Sequence, residues 1–432
     1  MSSIAPYLRA GKAEVSGSVA AVDRVNAEFY GRYPFPPPSP KFDYLDDPDF
    51  ERVMLCQSIG DFTHCRLPIE PRIWVVGCGT NQAIQTALRF PRASVLGTDL
   101  SSGTLELVAE IAAALRLGNL DLAQQSLSDA EDRNRFDYIL CTGVIHHNAD
   151  PGRALATLAR ALKPSGILEL MVYNAYHRIL PLAFQDAVQL FRLRTDSADC
   201  GDDMKIASIL AKSVPARTRM GQWLDSLDGR PESEIADLLI QPVEHTYTVA
   251  SLATLAAESG LELLLPTLSP LMKYRGLNAA WDLELDDPKM RDEYERMPDV
   301  ARWHLGNLLL NQDSPMLWFY LQRKDSPYPR RSERDLCDAF LDSRWMLAQT
   351  TQRSYIRDEN GALRLSRAAT PYPTSSPEVA LRQILEEVNH GTSLRQIMQK
   401  LGWEPTQARV TDIRTKLAIS VNPYLRSVAA GS

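Results

Sequence analysis

The passage from Ile73 to Asp99 limits the fold of this chain more than any other stretch. A short apolar run, Ile73–Val76, opens into Gly77-Cys78-Gly79-Thr80-Asn81-Gln82, and a helical pattern follows over Gln82–Phe90. A second apolar run, Ser94–Gly97, leads into Thr98-Asp99, so that Asp99 lies 20 residues beyond Gly79. Small residues at a strand-to-helix turn let backbone approach a ligand at a helix N-terminus. A carboxylate at the end of the next strand can accept both hydroxyls of a ribose. The combination points to a nucleoside-containing cofactor. A dinucleotide site also needs a third glycine beside the pyrophosphate, and Gln82 stands there instead.

Strand and helix patterns continue to alternate. Asp121–Gln125 and Phe136–Cys141 read as strands and Thr104–Leu115 and Pro151–Leu162 as helices. Lys163-Pro164-Ser165-Gly166 reads as a turn before a strand at Ile167–Tyr173. Strands separated by helices of this length predict a parallel sheet covered on both faces. Later come helix Val249–Glu258 and strands Leu261–Leu265 and Met316–Gln322, with helical insertions at about 175–245 and 267–314.

The chain has 432 residues, 44% hydrophobic, and a net charge of −7. That suffices for two or three domains and argues against a polyanion binder as a whole. Six scattered cysteines without a C-x-x-C pair argue against a disulfide framework or cysteine-rich metal site and fit a reducing cytoplasm. The N-terminal stretch lacks an apolar h-region and no run is long enough to span a membrane, so a cytoplasmic protein without membrane contact is expected.

The ordered segments Val75-Val76-Gly77-Cys78-Gly79-Thr80, Gly97-Thr98-Asp99-Leu100-Ser101, Phe136-Asp137-Tyr138-Ile139-Leu140, Gly143-Val144-Ile145-His146-His147 and Leu162-Lys163-Pro164-Ser165-Gly166 resemble those of class I S-adenosylmethionine (SAM)-dependent methyltransferases. The resemblance covers about residues 70–175. It implies a Rossmann-like seven-stranded α/β sheet with helical insertions, SAM as cofactor, and S-adenosylhomocysteine as product. It places Gly77 and Gly79 at the methionine end, Asp99 at the ribose, and Ser126 and Leu127 at the adenine edge, with Cys78, Asn81, Gln82, Leu100, Thr142, Gly143 and Tyr33 as further cofactor-binding residues. Thr142 and Gly143 fall where the methyl group meets its acceptor. The family often has an acid where Ser126 stands, and Asn81 replaces its third glycine. The segment Cys141-Thr142-Gly143-Val144 lacks the N/D-P-P-Y/F of nucleobase amino-methyltransferases.

Catalytic candidates are His147, His245 and Tyr30, with no metal ligands; His146 is weighed beside His147. The element Phe29-Tyr30-Gly31-Arg32-Tyr33-Pro34-Phe35-Pro36 resembles a Tyr-Pro-aromatic-Pro element in a bacterial methyltransferase subset, which implies a lid within residues 1–40 with Tyr30, Arg32 or Tyr33 touching the cofactor carboxylate or the acceptor. The residues alone equally suit a rigid strap packing its aromatics onto the sheet edge.

A Pro-punctuated stretch at 324–329 divides a methyltransferase domain, 41–325, from a C-terminal region, 326–432, holding 15 basic and 11 acidic residues. An Asn360-Gly361 hairpin and helices at Pro377–Val388, Ser393–Leu401 and Pro405–Leu417 predict a small winged-helix-like α+β domain. Its slight positive charge argues against nucleic acid as partner, despite Arg409, Arg414 and Lys416 on the last helix. The layout also resembles bacterial protein-lysine methyltransferases with a C-terminal regulatory domain and peptide-recognising modules, the similarity lying over Glu378–Leu401 with Asn389-His390-Gly391 between the helices. A protein- or peptide-contacting or dimerising role is expected for it. The acceptor is expected to be a small molecule or a peptide.

Overall fold

The computed structural model describes residues 18–195, 200–267, 281, 283, 285–373, 377–388, 392–417 and 421–428. The N-terminal leader reading, residues 268–280 of the second expected insertion, and Asn389-His390-Gly391 lie outside them.

Eight strands come first: β1 (Lys41–Leu45), β2 (Arg72–Val76), β3 (Ser94–Asp99), β4 (Leu120–Gln124), β5 (Phe136–Thr142), β6 (Leu162–Val172), β7 (Leu261–Pro266) and β8 (Leu317–Arg323). All but β1 form a seven-stranded sheet in the order β4-β3-β2-β5-β6-β8-β7. The first five run parallel, and β8 is antiparallel to both β6 and β7. This is the expected Rossmann-like α/β sheet. Strands β2 and β5 read as near-continuous apolar runs because helices cover both faces. Trp74, fully buried on β2, stacks on Phe136 and donates its indole N–H to Thr98 Oγ1 at 2.9 Å.

The chain runs outward from β2 through β3 to β4, then returns to β5 on the other side of β2. The β2–β5 boundary is thus the topological switch point, where open parallel sheets bind ligands beyond their carboxyl ends.

Two local expectations need correction. Lys163-Pro164-Ser165-Gly166 is not a turn preceding the strand but lies within β6. Leu162 pairs with Phe136 and Ile167 with Tyr138, and the intervening residues bulge out of the ladder. The Arg66 guanidinium caps the bulge by donating to the Ser165 and Gly166 carbonyls. The Pro-rich strap is preceded by a 14-residue helix, Val19–Arg32, where only a strap was expected.

The C-terminal region adds helices Glu333–Asp342, Val379–Val388, Leu394–Lys400 and Gln407–Thr415 and strands β9 (Trp345–Ala348), β10 (Thr350–Arg357), β11 (Leu363–Leu365), β12 (Thr370–Tyr372) and β13 (Tyr424–Ser427). Phe340, Ile384, Ile397, Val410 and Leu425 share its core with Phe62. Strand β10 pairs with β11 and β12 and, over five residues, antiparallel with β1. Gln57, on the helix Phe50–Ser58, bonds β13 through Leu425 and Ser427. Residues 41–62 therefore pair and pack with the C-terminal region. Arg414 is buried and donates to the Ser58 carbonyl, Lys416 pairs with Glu378 and Asp412, and Arg409 reaches the Glu404 carbonyl. The three cations weighed for nucleic-acid contact are engaged within the chain.

The first insertion forms helices Ile179–Thr195, Cys200–Ser213, Arg219–Asp225 and Glu232–Leu239. Phe29 and Tyr33 of the N-terminal segment enter its apolar core beside Phe184, Val188 and Leu239.

Candidate active site

Beyond Val76 the backbone turns through Gly77 at φ +56° and Gly79 at φ +51°, a region that side chains rarely adopt. A Cβ on Gly77 would stand 2.4 Å from Val144 Cγ2, beyond β5, and one on Gly79 would stand 2.7 Å from the Phe35 carbonyl oxygen. Both glycines are required by close approach. Thr80 Oγ1 and Asn81 Nδ2 donate to the Pro36 and Pro37 carbonyls, and the Ser39 N–H donates to Asn81 Oδ1. Asn81 is thus committed to holding the strap over the loop. Gln82 reaches across the switch point to Thr142, Nε2 to Oγ1 at 2.8 Å.

Asp99, at the end of β3, accepts from the Gly79 N–H through Oδ2 and from the Ser101 N–H through Oδ1, each at 3.0 Å. Burial raises its pKa above the usual carboxylate value, opposed by these N–H donors. Leu100 beside it is partly buried, and its carbonyl accepts from Gln124. Cys78 and Leu127 lie in the core. Burial pushes the Cys78 thiol far up in pKa, with the Asp99 charge adding to it. Ser126 Oγ, after β4, donates to Asp23 Oδ2 of the N-terminal helix at 2.5 Å.

Beyond β5 and β6 lies a second cluster. Gly143 has φ +80°. His147 Nδ1 is 2.7 Å from the Val243 carbonyl. A carbonyl only accepts, so the proton sits on Nδ1 and Nε2 is the basic atom. His146 is fully buried, stacked on Tyr173 at 3.8 Å between centroids, and neither of its ring nitrogens has a hydrogen-bond partner among the described residues. Burial, with His147, Arg178 and His245 nearby, holds its pKa well below the ordinary value. Tyr30 and Tyr173 both donate to Asp237, to Oδ1 at 3.1 Å and Oδ2 at 2.7 Å. Burial, and then the Asp237 charge, keep both phenols neutral. Tyr173 also carries the Arg178 guanidinium on its face, 4.2 Å from the ring centroid. Arg178 makes a bidentate buried pair with Glu244, at 2.6 and 2.5 Å.

Of the three catalytic candidates, Tyr30 and His147 come together, with ring centroids 6.1 Å apart. His245 joins them through its backbone N–H to the His146 carbonyl, while its Nε2 lies 3.1 Å from the Asn148 carbonyl. Tyr33 is buried in the insertion core against Phe29, with Arg32 over its ring. Asp23, Tyr173, Arg178, Asp237 and Glu244 were not singled out from sequence. Tyr173, immediately beyond a core strand, had a readable signal, since groups at strand carboxyl ends face the crevice. Asp237 and Asp23 had none.

The residues present suit SAM. Two left-handed glycines give a ligand close access to backbone, a half-buried carboxylate ends β3, and Gln82 stands where a diphosphate needs glycine. Among the described residues, no group of three His, Cys, Asp or Glu side chains is placed to hold a metal ion, and no helix is long and apolar enough to cross a membrane.

Comparison with known proteins agrees with this geometry. The family model of a methyltransferase domain matches residues 74–168. An uncharacterized protein of Synechococcus sp. is 32% identical over 269 residues, covering 59% of this chain and 63% of that protein. The trans-aconitate 2-methyltransferase of Deinococcus radiodurans is 36% identical over 121 residues, covering 26% of this chain and 45% of that enzyme. The chain thus spans between about half and two thirds of the length of these curated relatives. The structure of PKMT2 from Rickettsia typhi in complex with AdoHcy superposes with a TM-score of 0.54 at 16% identity, over 89% of this chain and 74% of that one, a likeness of fold. Residues 74–168 thus match a methyltransferase domain, set in a Rossmann-like sheet whose switch point suits S-adenosylmethionine as cofactor and S-adenosylhomocysteine as product.

Proposed function

We propose that the chain transfers a methyl group from SAM to a nitrogen or oxygen nucleophile enclosed between the ends of β5 and β6, the N-terminal helix and the first insertion. The carrying observation is the adjacency, across one switch point, of the Gly77–Gly79 loop with Asp99 and the buried Tyr30–Asp237–Tyr173 and His146–His147 cluster. SAM, when bound, supplies an electrophilic methyl group on a sulfonium. The chain's own residues hold and align. Asp99 accepts from the ribose hydroxyls, and the strap and Val144 exclude water from the loop. His147, its proton fixed on Nδ1, takes the acceptor's proton on Nε2 where one must leave. Such alignment accounts for most of what a methyl transfer needs.

Enclosure by helices supports a small-molecule acceptor or a single side chain threaded inward. The curated relatives named for methylating trans-aconitate and for O-methylation in ubiquinone biosynthesis, such as that of Caulobacter vibrioides, support a small molecule. We read the helices and hairpin after residue 326 as a winged-helix-like, protein-contacting module, with a protein (lysine-type) methyltransferase carrying a regulatory domain as the second reading. Calorimetric titration of the full chain with SAM and with NADH tests the cofactor, and S-adenosylhomocysteine release tests acceptors. Binding of NADH but not SAM refutes the proposal. A chain that binds SAM yet releases no product with any carboxylate, phenol or amine acceptor refutes the transfer.

A further inference from the structure

The site as described leaves the carboxylate of Asp23 unexplained. It belongs to helix Val19–Arg32, 103 residues from Ser126 in sequence, yet lies 2.5 Å from that hydroxyl. Among the described residues, the groups that act on it are Ser126 and Asp129, neither of them a cation.

Its position along the sheet gives it meaning. Asp99 and Gln124 are register partners on parallel strands, so the loop after β4 begins one strand spacing, about 4.8 Å, from the ribose carboxylate. On the other side of Asp99 lie Gly77, Gly79 and Thr142, at the switch point where the reacting end of the cofactor belongs. A nucleoside held by its ribose at Asp99 with its sulfur at the switch point must extend its base toward β4. An adenine there brings an exocyclic amine with two hydrogens to donate. Two polar side chains meet it. The Ser126 hydroxyl is already donating to Asp23, which leaves the Asp23 carboxylate as the strong acceptor. Asp129, the first acid of the loop after β4, is exposed and lines an outer cleft with Arg133, Arg153 and Arg160.

We propose that Asp23 reads the nucleobase by accepting from its 6-amino group, so that the N-terminal helix, and not the sheet, supplies the base-specifying side chain. The inference rests on the SAM reading above and assigns the adenine end of that site. It also ties the two ends of the site together. Three residues along the same helix, Asn26 donates to the His147 carbonyl at 2.8 Å. Seven residues along, about 10 Å up the helix axis, Tyr30 enters the Asp237 cluster. A base gripped by Asp23 steadies the helix that carries Tyr30 to Asp237.

The test compares S-adenosylhomocysteine with S-inosylhomocysteine, which carries a 6-oxo acceptor in place of the amine, by calorimetry on the full chain. The wild-type chain is expected to prefer the adenosyl form by about 10- to 100-fold, the range for one hydrogen bond to a charged group. In Asp23→Asn the preference should fall within threefold, because a carboxamide turns to accept or to donate. Adding Ser126→Asp to that variant should restore the preference from the other side of the contact. A helix-docking role alone would weaken both ligands equally and leave their ratio unchanged. An Asp23→Asn ratio equal to wild type, or a wild-type chain that does not discriminate, overturns the assignment to Asp23 while leaving SAM binding standing. A wild-type chain that binds neither ligand overturns the SAM reading and this assignment together.

Discussion

Replacing Asp99 by asparagine separates what this carboxylate does for the loop from what it does for a ligand. Each oxygen accepts from a different backbone N–H, Oδ1 from Ser101 and Oδ2 from Gly79. Whichever way the carboxamide turns, its NH2 faces one of those donors. An unsatisfied buried donor costs about 1–3 kcal/mol. Burial raises the Asp99 pKa, so removing the charge relieves part of that, and a net stability loss of about 1 kcal/mol is expected. This loss is present with and without ligand and does not enter the affinity. Affinity falls because two ribose hydroxyls exchange bonds to a charged acceptor for bonds to a neutral one. At about 1 kcal/mol each, the total of about 2 kcal/mol is roughly 30-fold in Kd. Calorimetry with S-adenosylhomocysteine reads the affinity and thermal denaturation reads the stability. An affinity within threefold of wild type, in a variant that remains folded, would refute Asp99 as the ribose ligand.

Gly79→Ala should cost about 1–2 kcal/mol for its left-handed backbone, and the clash with the Phe35 carbonyl adds about 1–3 kcal/mol. Limited trypsinolysis should then cut faster at Arg32 or Lys41, which flank the strap, whereas Gly103→Ala, with open space around its Cβ, should not change the rate. Glu244→Gln strands the Arg178 guanidinium, whose charge is opposed by burial but held by Glu244, and should destabilise by about 3–5 kcal/mol. The paired change Arg178→Met with Glu244→Leu should cost far less, and equal losses in denaturant titration would refute a buried-charge origin. His146, its pKa lowered mainly by burial, binds a proton more readily unfolded than folded. It therefore contributes stability in full above pH 6.5, and that contribution declines as pH falls toward its folded value, with a slope of up to about 1.4 kcal/mol per pH unit. His146→Phe should flatten the stability profile between pH 6.5 and 5, and an unchanged slope would count against a neutral buried imidazole.

What sequence reveals here follows the range of each interaction. The apolar runs of β2 and β5, the Gly77–Gly79 turn and the Asp99 strand end are local patterns, and all of them stand where periodicity and turn chemistry put them. Lys163-Pro164-Ser165-Gly166 has the composition of a turn, but the ladder with β5 resumes beyond it and makes it a bulge. Helix Val19–Arg32 carries Asp23, Arg24 and Asn26 among its apolar residues and adjoins five prolines, so its pattern is weak. The site partners missed are long-range ones. Tyr30 and Asp237 are 207 residues apart and Tyr173 and Asp237 are 64 apart, and no periodicity links them. Tyr30 and His147 were recognisable as chemistry-bearing residues, but not the carboxylate that holds Tyr30 in place.

The pairing of β1 with β10 bears on how the chain comes to fold during synthesis. Lys41 faces Ile356 and Leu45 faces Gln352, so an early strand has its partner roughly 300 residues later in the chain. At about 5–20 residues per second, β1 emerges roughly 15–60 s before its partner. The core strands β2 to β6 are all made in that interval. A nascent chain therefore carries a finished cofactor sheet beside an unpaired strand edge, and edges of that kind invite association between chains. Lys41, exposed at the start of β1, and Pro40 immediately before it are residues that discourage such pairing, and they guard the strand until the C-terminal region arrives to cover it.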